Sequence, residues 1–209
     1  QEQKQKTFVI YPAKHYVINP KSEREAFKEI LIDLKKRIEV FKAAGQTYEA
    51  HRLKQRVKYD LEMMKEFGFV GGIENYSRYF DGRQPGEPPF SLLDYFQQNV
   101  TDFGGDSFLT IIDESHMTVP QIRGMYAGDQ ARKQTLIDYG FRLPSALDNR
   151  PLRFNEFLEK TQQRVYTSAT PKEWEIEKAG GQNKVVEQLI RPTGLLDPEI
   201  ELRPTTNQV

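Results

Sequence analysis

The 209-residue sequence contains no cysteine. Disulfides and thiolate metal sites are excluded, and the absence fits a reducing cytosol, so the expected location is cytoplasmic. Net charge is also absent: 30 basic residues balance 30 acidic ones. Long-range attraction to a polyanion is therefore not built into the total, and any basic surface must be local. No apolar run approaches the ~20 residues that cross a bilayer, so no membrane partner is expected. The opening residues, QEQKQK, carry no signal-peptide pattern. One further absence matters more for chemistry. No Gly-x-x-x-x-Gly-Lys-Ser/Thr occurs anywhere, so the chain holds no loop of that type for cradling phosphates.

Against these absences stands Phe108 to His116, reading FLTIIDESH. Phe108 to Ile112 is apolar except for one Thr, the pattern of a fully buried strand in a parallel sheet. Asp113 and Glu114 follow at once, at the carboxyl edge where open α/β folds bind ligands. One such acid suits Mg²⁺, which prefers carboxylate oxygens and keeps several waters. The other would orient or deprotonate a water attacking a γ-phosphate. An ordinary strand ending in an acidic turn would read the same way, and Ser115 and His116 sharpen the choice. Thr167-Ser168-Ala169-Thr170 follows a second strand predicted over Arg164 to Thr167. Ser168 and Thr170 would hydrogen-bond Asp113 or His116 across neighbouring strand ends; a Ser/Thr-capped turn before Pro171 is the plain alternative.

The N-terminal half is helical. Thr7 to Tyr11 reads as a short strand ended by Pro12. A helix starts at Asn19-Pro20 or at Ser22, where Glu25 completes a capping box. Ala26, Phe27, Ile30, Leu31, Leu34, Ile38 and Phe41 form its apolar stripe, and Gly45 ends it. Thr47 caps the next helix, whose stripe is Ala50, Leu53, Val57, Leu61 and Met64, ended by Gly68. A short Gly-containing loop makes these two an antiparallel hairpin. Gly68, Gly71 and Gly72 then surround Phe69, with Tyr76 close behind. Asp81 to Pro89 is a turn-rich loop. Ser91 caps a short helix through LLDYF, and Gln97 to Ser107 reads as a polar surface loop.

After the DESH run, Val119-Pro120-Gln121 is expected to turn the chain into a basic segment containing Arg123, Arg132 and Lys133. Positive charge among glycines suits phosphate contact; a solvated helix is the alternative. Arg142, Asp148 and Arg150 lie between two prolines; an Arg-Asp pair that locks the loop is one reading, and DNA contact or motor coupling is the rival. Phe154 to Gln162 is predicted helical, with Phe154, Phe157 and Leu158 buried. Trp174 starts a short amphipathic helix, Val185 to Ile190 resumes order, and Glu199 to Leu202 reads as a last strand-like run.

Asp-Glu-Ser-His followed by Ser-Ala-Thr, in that order, is similar to two motifs of superfamily 2 helicase-type ATPases. GIENYSR (Gly72 to Arg78), LLDYF (Leu92 to Phe96), RGMYAGDQARKQ (Arg123 to Gln134), YGFRLPSALDNRPL (Tyr139 to Leu152) and IRPTGLLDP (Ile190 to Pro198) narrow this further. In this order the segments resemble the UvrB family of bacterial nucleotide excision repair, from about Tyr11 to Pro204. Gln97 to Ser107 departs from that pattern, being longer than the family's linker.

The resemblance implies an α/β fold: the later part of a RecA-like P-loop motor domain with an adjacent helical subdomain, the antiparallel helix pair. It divides the chain into a strand and loop returning from a UvrA-docking domain (1–18), the helical subdomain (19–107), the RecA-like part (108–204) and the start of a following domain (205–209). It implies an internal piece of a longer ATPase, with the phosphate loop upstream. Asp113 would hold the Mg²⁺ of ATP, Glu114 would activate water, and His116, Ser168 and Thr170 would couple the γ-phosphate to movement. ATP and Mg²⁺ belong to the parent protein, and the piece alone is expected to bind neither and to be inactive. DNA, UvrA and UvrC are the implied partners. Tyr16 and Phe69 would form a base pocket, with Tyr76, Arg123 and Arg150 as further DNA contacts. The rival reading is a non-catalytic module that binds single-stranded DNA or a protein. A transcription-repair coupling factor is a third, disfavoured because its UvrB-like region would not be expected to keep both motifs.

Overall fold

The computed structural model describes residues 20–190, 194 and 198–202. Two compact units divide the chain, residues 1–169 and 170–209. Among the described residues of the first, six α-helices accompany a two-stranded parallel sheet. The architecture is mostly helical, with the α/β element confined to that sheet.

Helices α1 (Pro20–Ala43) and α2 (Thr47–Phe67) form the expected antiparallel hairpin. Ser22 lies inside α1, whose first residue is Pro20, so the chain does not use the Ser22–Glu25 capping box. Thr47 is likewise the first residue of α2; Gln46 occupies the cap and makes no side-chain cap bond. Gly68 closes α2 in the left-handed region at φ 68°, its N–H bonding the Met64 carbonyl. Ala26, Ile30, Leu34 and Phe41 are buried against Ala50, Leu53, Val57 and Met64. Leu31 departs from the predicted stripe and lies half exposed.

One polar residue sits inside this core, and no apolar pattern announces it. Asp60 is buried on α2. Tyr76, in a 3-10 turn over Ile73–Tyr76, donates its hydroxyl to Asp60 Oδ2 at 2.7 Å, and Arg56 Nε lies 3.1 Å from the same oxygen. Burial, reinforced by the Asp60 carboxylate, raises the Tyr76 phenol far above its ordinary range.

Helix α3 (Ser77–Asp81) follows, then a turn-rich loop to α4 (Leu92–Asp102). Ser91 and Asp94 do form a capping box at α4: the Ser91 N–H donates to Asp94 Oδ2 at 2.7 Å. The helix runs six residues beyond LLDYF to Asp102, so much of the expected loop is helical. Strand β1 (Leu109–Ile112) pairs in parallel with β2 (Gln163–Tyr166), Ile112 opposite Tyr166. Of β1 only Ile112 is buried; Leu109 and Ile111 are 57% and 65% exposed. A two-stranded sheet covers one face at most, and alternating side chains leave these two on the other.

Helix α5 (Ser115–Asp138) begins straight after β1 and continues through Pro120. No turn forms there; an early position in a long helix forfeits one N–H bond and the rest of the ladder carries on. At its far end the hairpin satisfies the terminal carbonyls: Arg52 Nη1 donates to Tyr139 O at 2.6 Å and Arg37 Nη2 to Ile137 O at 3.5 Å. Cations at a helix C-terminus are also favoured by the helix dipole. Gly140 makes the approach possible. Its φ is +71°, and a Cβ there would sit 2.5 Å from the Glu49 carbonyl oxygen.

Helix α6 (Phe154–Lys160) leads into β2, with Phe154, Phe157 and Leu158 only half-buried rather than enclosed. In the second unit α7 (Glu173–Ala179) carries Trp174, with Lys178 Nζ 5.9 Å from its ring centre. Residues 185–190 and 198–202 form neither helix nor strand, and Val186, Leu189, Ile200 and Leu202 are exposed, so neither expected ordered run forms. The predicted strand at Thr7 to Tyr11 lies outside the described residues.

Two glycine substitutions separate conformational cost from steric cost. Gly68→Ala, with open space around a positive φ, should cost about 1 kcal/mol. Gly140→Ala adds a backbone collision and should cost about 3 kcal/mol. Urea midpoints of the two variants measure the difference; equal midpoints would mean that Gly140 does not fix α5 against the hairpin.

Candidate nucleotide-hydrolysis site

The two strands end side by side, and the ladder continues one step beyond them. Thr167 N–H donates to Ile112 O at 3.0 Å, and Ser115 N–H donates to Thr167 O at 3.0 Å. This fixes the loop after β1 against the loop after β2. Asp113 and Thr167 emerge opposite each other, and the Thr167 hydroxyl donates to Asp113 Oδ1 at 2.7 Å. The same oxygen accepts the Glu114 N–H at 2.9 Å. These two bonds, the Thr167 one foremost, hold the exposed Asp113 carboxyl below its ordinary pKa.

Glu114 is the one non-glycine residue with positive φ among the described residues, at φ 45° and ψ 47°. It caps α5 in a left-handed conformation that costs an L-residue about 1–2 kcal/mol. The turn lifts its carboxylate into the open, 63% exposed, while Ser115 becomes fully buried. Thr118 supports the turn by donating its hydroxyl to the Asp113 carbonyl at 2.9 Å. His116 Nδ1 lies 2.7 Å from Ser168 Oγ and 3.4 Å from Glu114 Oε2. Asp113, Glu114, His116 and Ser168 thus share one strand edge. Thr170 opens the second unit, and the Thr167 hydroxyl bonds Asp113. Thr167 was missed as a site residue, although counting parallel register from Ile112 and Tyr166 sets it opposite Asp113.

The donor set fits Mg²⁺ in a limited way. Asp113 and Glu114 are exposed oxygen donors, and no cluster of three or more His, Cys, Asp or Glu among the described residues would hold a metal by itself. That suits an ion that takes one or two carboxylates and completes its shell with water and substrate phosphate.

The expected DNA contacts divide sharply. Phe69 is 57% exposed. Val70 and Ile73 are buried beside it, and Arg56 Nη2 donates to Gly71 O at 2.9 Å, so the loop is pinned with Phe69 left outside. Tyr16 lies outside the described residues. Tyr76 is 4% exposed and bonded to Asp60; it is a core residue, not a stacking platform. Arg150 is also corrected. It is 5% exposed, makes bonds of 2.7 and 2.8 Å to the two Glu156 carboxylate oxygens, and donates to Gly86 O. Its guanidinium holds Glu156 below the usual carboxylate range and locks the loop, leaving no fork for phosphate. Asp148 pairs instead with Arg78, which also bonds Asp33. Arg123 is exposed on α5, 4.8 Å from the Phe154 ring centre.

A parallel strand pair thus delivers an acidic pair, a His and a Ser to one edge. Sequence comparison makes this specific. The UvrB third helical domain matches residues 21–82. UvrABC system protein B of Chloroflexus aggregans is 57% identical over 96% of the chain, that of Enterococcus faecalis 55% over 96%, and that of Streptococcus pyogenes 53% over 96%. The chain belongs to the UvrB family. It spans 28–29% of the length of these relatives.

The Thr167 hydroxyl makes a titration prediction. In the wild-type chain the Asp113 carboxyl should titrate below the ordinary aspartate value of about 3.9. Thr167→Val removes the leading cause, so its midpoint should rise toward that value. Carboxyl-carbon NMR across pH 2 to 6 measures both; an unmoved midpoint would mean the hydrogen bond is not made in solution.

Proposed function

We propose that this chain is the part of a UvrB ATPase that contributes the carboxylates and the coupling residues of its nucleotide site, in DNA-damage verification during nucleotide excision repair. The observation that carries this reading is the bonded corner between the ends of β1 and β2, Asp113 to Thr167 and His116 to Ser168. The relatives are named as components of the UvrABC system, which supports the repair context.

In this reading the parallel pair is a portion of a RecA-like sheet, and the α1/α2 hairpin is the helical subdomain beside it. Asp113 would hold Mg²⁺, and a bound ion would supply charge neutralisation for the nucleotide phosphates. Glu114, lifted into solvent by its strained turn, orients the attacking water and takes its proton. His116 and Ser168 stand where a change at Glu114 reaches the loop after β2, and Thr170 follows in sequence as a further coupling residue. The ATP phosphates are cradled by a loop of the longer protein, since this sequence has none. The parent acts on DNA with UvrA and UvrC in the cytoplasm. Phe69, held outside on a pinned loop, stacks on an unpaired base together with Tyr16, and Arg123 meets the backbone.

The isolated chain tests both halves. It should show no ATP turnover and no Mg²⁺-dependent binding of a fluorescent ATP analogue. Binding lost with EDTA and in Asp113→Asn would contradict the division of the site. Single-stranded DNA should bind in a salt-sensitive manner, and Phe69→Ala should weaken it by about 1–3 kcal/mol without altering the circular dichroism spectrum. Unchanged affinity would remove Phe69 from the DNA path.

A further inference from the structure

The overall charge balance conceals one local excess. The seam between α1 and α2 opens on one side into a shallow groove. Its apolar floor includes Leu31, Leu34 and Ile38 of α1, spaced three and four residues apart so that they share one helix face. Leu31, outside the buried stripe, is 48% exposed. Lys35 and Lys42 rise from α1 and Lys54 and Lys58 from α2, with Glu39 the one acid among the lining residues. All four lysines are exposed. None of them lies within 4.0 Å of a described carboxylate, in contrast to the arginines of this fold, many of which are held in internal pairs.

We propose that this groove is a docking site for an acidic amphipathic helix of a protein partner. An apolar floor with helical spacing takes leucine-like anchors from a helix laid along it. The lysines on both banks then meet glutamates or aspartates flanking those anchors, which sets orientation and speeds encounter. From Leu31 to Lys42 the groove is about 17 Å long, enough for three turns of a bound helix. Nucleic acid fits less well. The lining contains no Phe, Tyr or Trp on which a base would stack, His51 being its one ring, and a phosphate backbone would leave Leu31 and Ile38 uncovered. The groove is separate from the strand-edge corner and from Phe69, and the proposal does not depend on the nucleotide reading.

The test uses the full 209-residue chain and a labelled helical peptide of about 16 residues, with leucines at helical spacing and glutamates on both flanks, followed by fluorescence anisotropy. The glutamate peptide should bind saturably and more weakly at high salt. The double variant Lys54→Glu/Lys58→Glu, which changes only exposed positions, should lose roughly tenfold in affinity or more. The same variant should gain binding to a peptide carrying lysines in place of the glutamates. No saturable binding, or binding unaffected by the charge reversal, would overturn the proposal. A thymine oligonucleotide that loses affinity in the double variant while the peptide does not would assign the groove to nucleic acid and overturn it equally.

Discussion

One parallel pairing, β1 against β2, sets the geometry on which the site depends. It places Ile112 opposite Tyr166 and extends through Thr167 and Ser115 into the loops beyond. A slip of one residue would flip every side chain to the other face. Asp113 would then lose Thr167, and His116 would lose Ser168. The pairing also fixes where α5 starts, because Ser115 is both the end of the ladder and the first residue of the helix. The left-handed Glu114 between them is the cost of turning from strand to helix without a spacer. At 24 residues, α5 is about 36 Å long. Arg37 and Arg52 tie its far end to the helical hairpin, so strand edge and hairpin are joined by one rigid rod.

Internal charge pairs then define how the loops lie on this frame. Arg78 bridges Asp33 and Asp148, Arg150 grips Glu156 and Gly86, and Asp60 receives Tyr76 and Arg56. Such buried pairs add little net stability, yet removing one partner leaves an uncompensated charge and is strongly destabilising. They act here as locks that specify one arrangement of the segments after α2 and after α5. Lys35, Lys42, Lys54 and Lys58 stand apart from these locks: they are exposed and, unlike Lys36 beside Asp33, pair with no described carboxylate.

Much of this was legible in sequence. Apolar spacing along α1 and α2, the terminating Gly68, the Ser91 cap and the run FLTIIDESH followed by Ser-Ala-Thr identify the hairpin, one helix start and the strand-edge site. What was not legible has physical causes. Of the two starts offered for α1 the chain uses Pro20, not Ser22, and Thr47 lies inside α2 although Gln46 before it makes no side-chain cap bond. Pro120 reads as a stop, but a long helix tolerates it near its beginning. Tyr76 and Arg150 read as DNA contacts because exposed and buried aromatics or arginines look alike in sequence. Their partners, Asp60 and Glu156, decide the matter and are visible only in three dimensions. The continuous apolar run of β1 predicts burial on both faces, whereas two strands bury only Ile112.

The measurement that bears most directly on the account transplants this chain into the matching stretch of the full-length Enterococcus faecalis relative, 55% identical, and follows DNA-stimulated ATP hydrolysis. The account predicts that the chimera turns over ATP and that Glu114→Gln within it lowers kcat by about 10²–10⁴-fold while nucleotide binding persists. A Glu114→Gln chimera that hydrolyses ATP at the parental rate would contradict it.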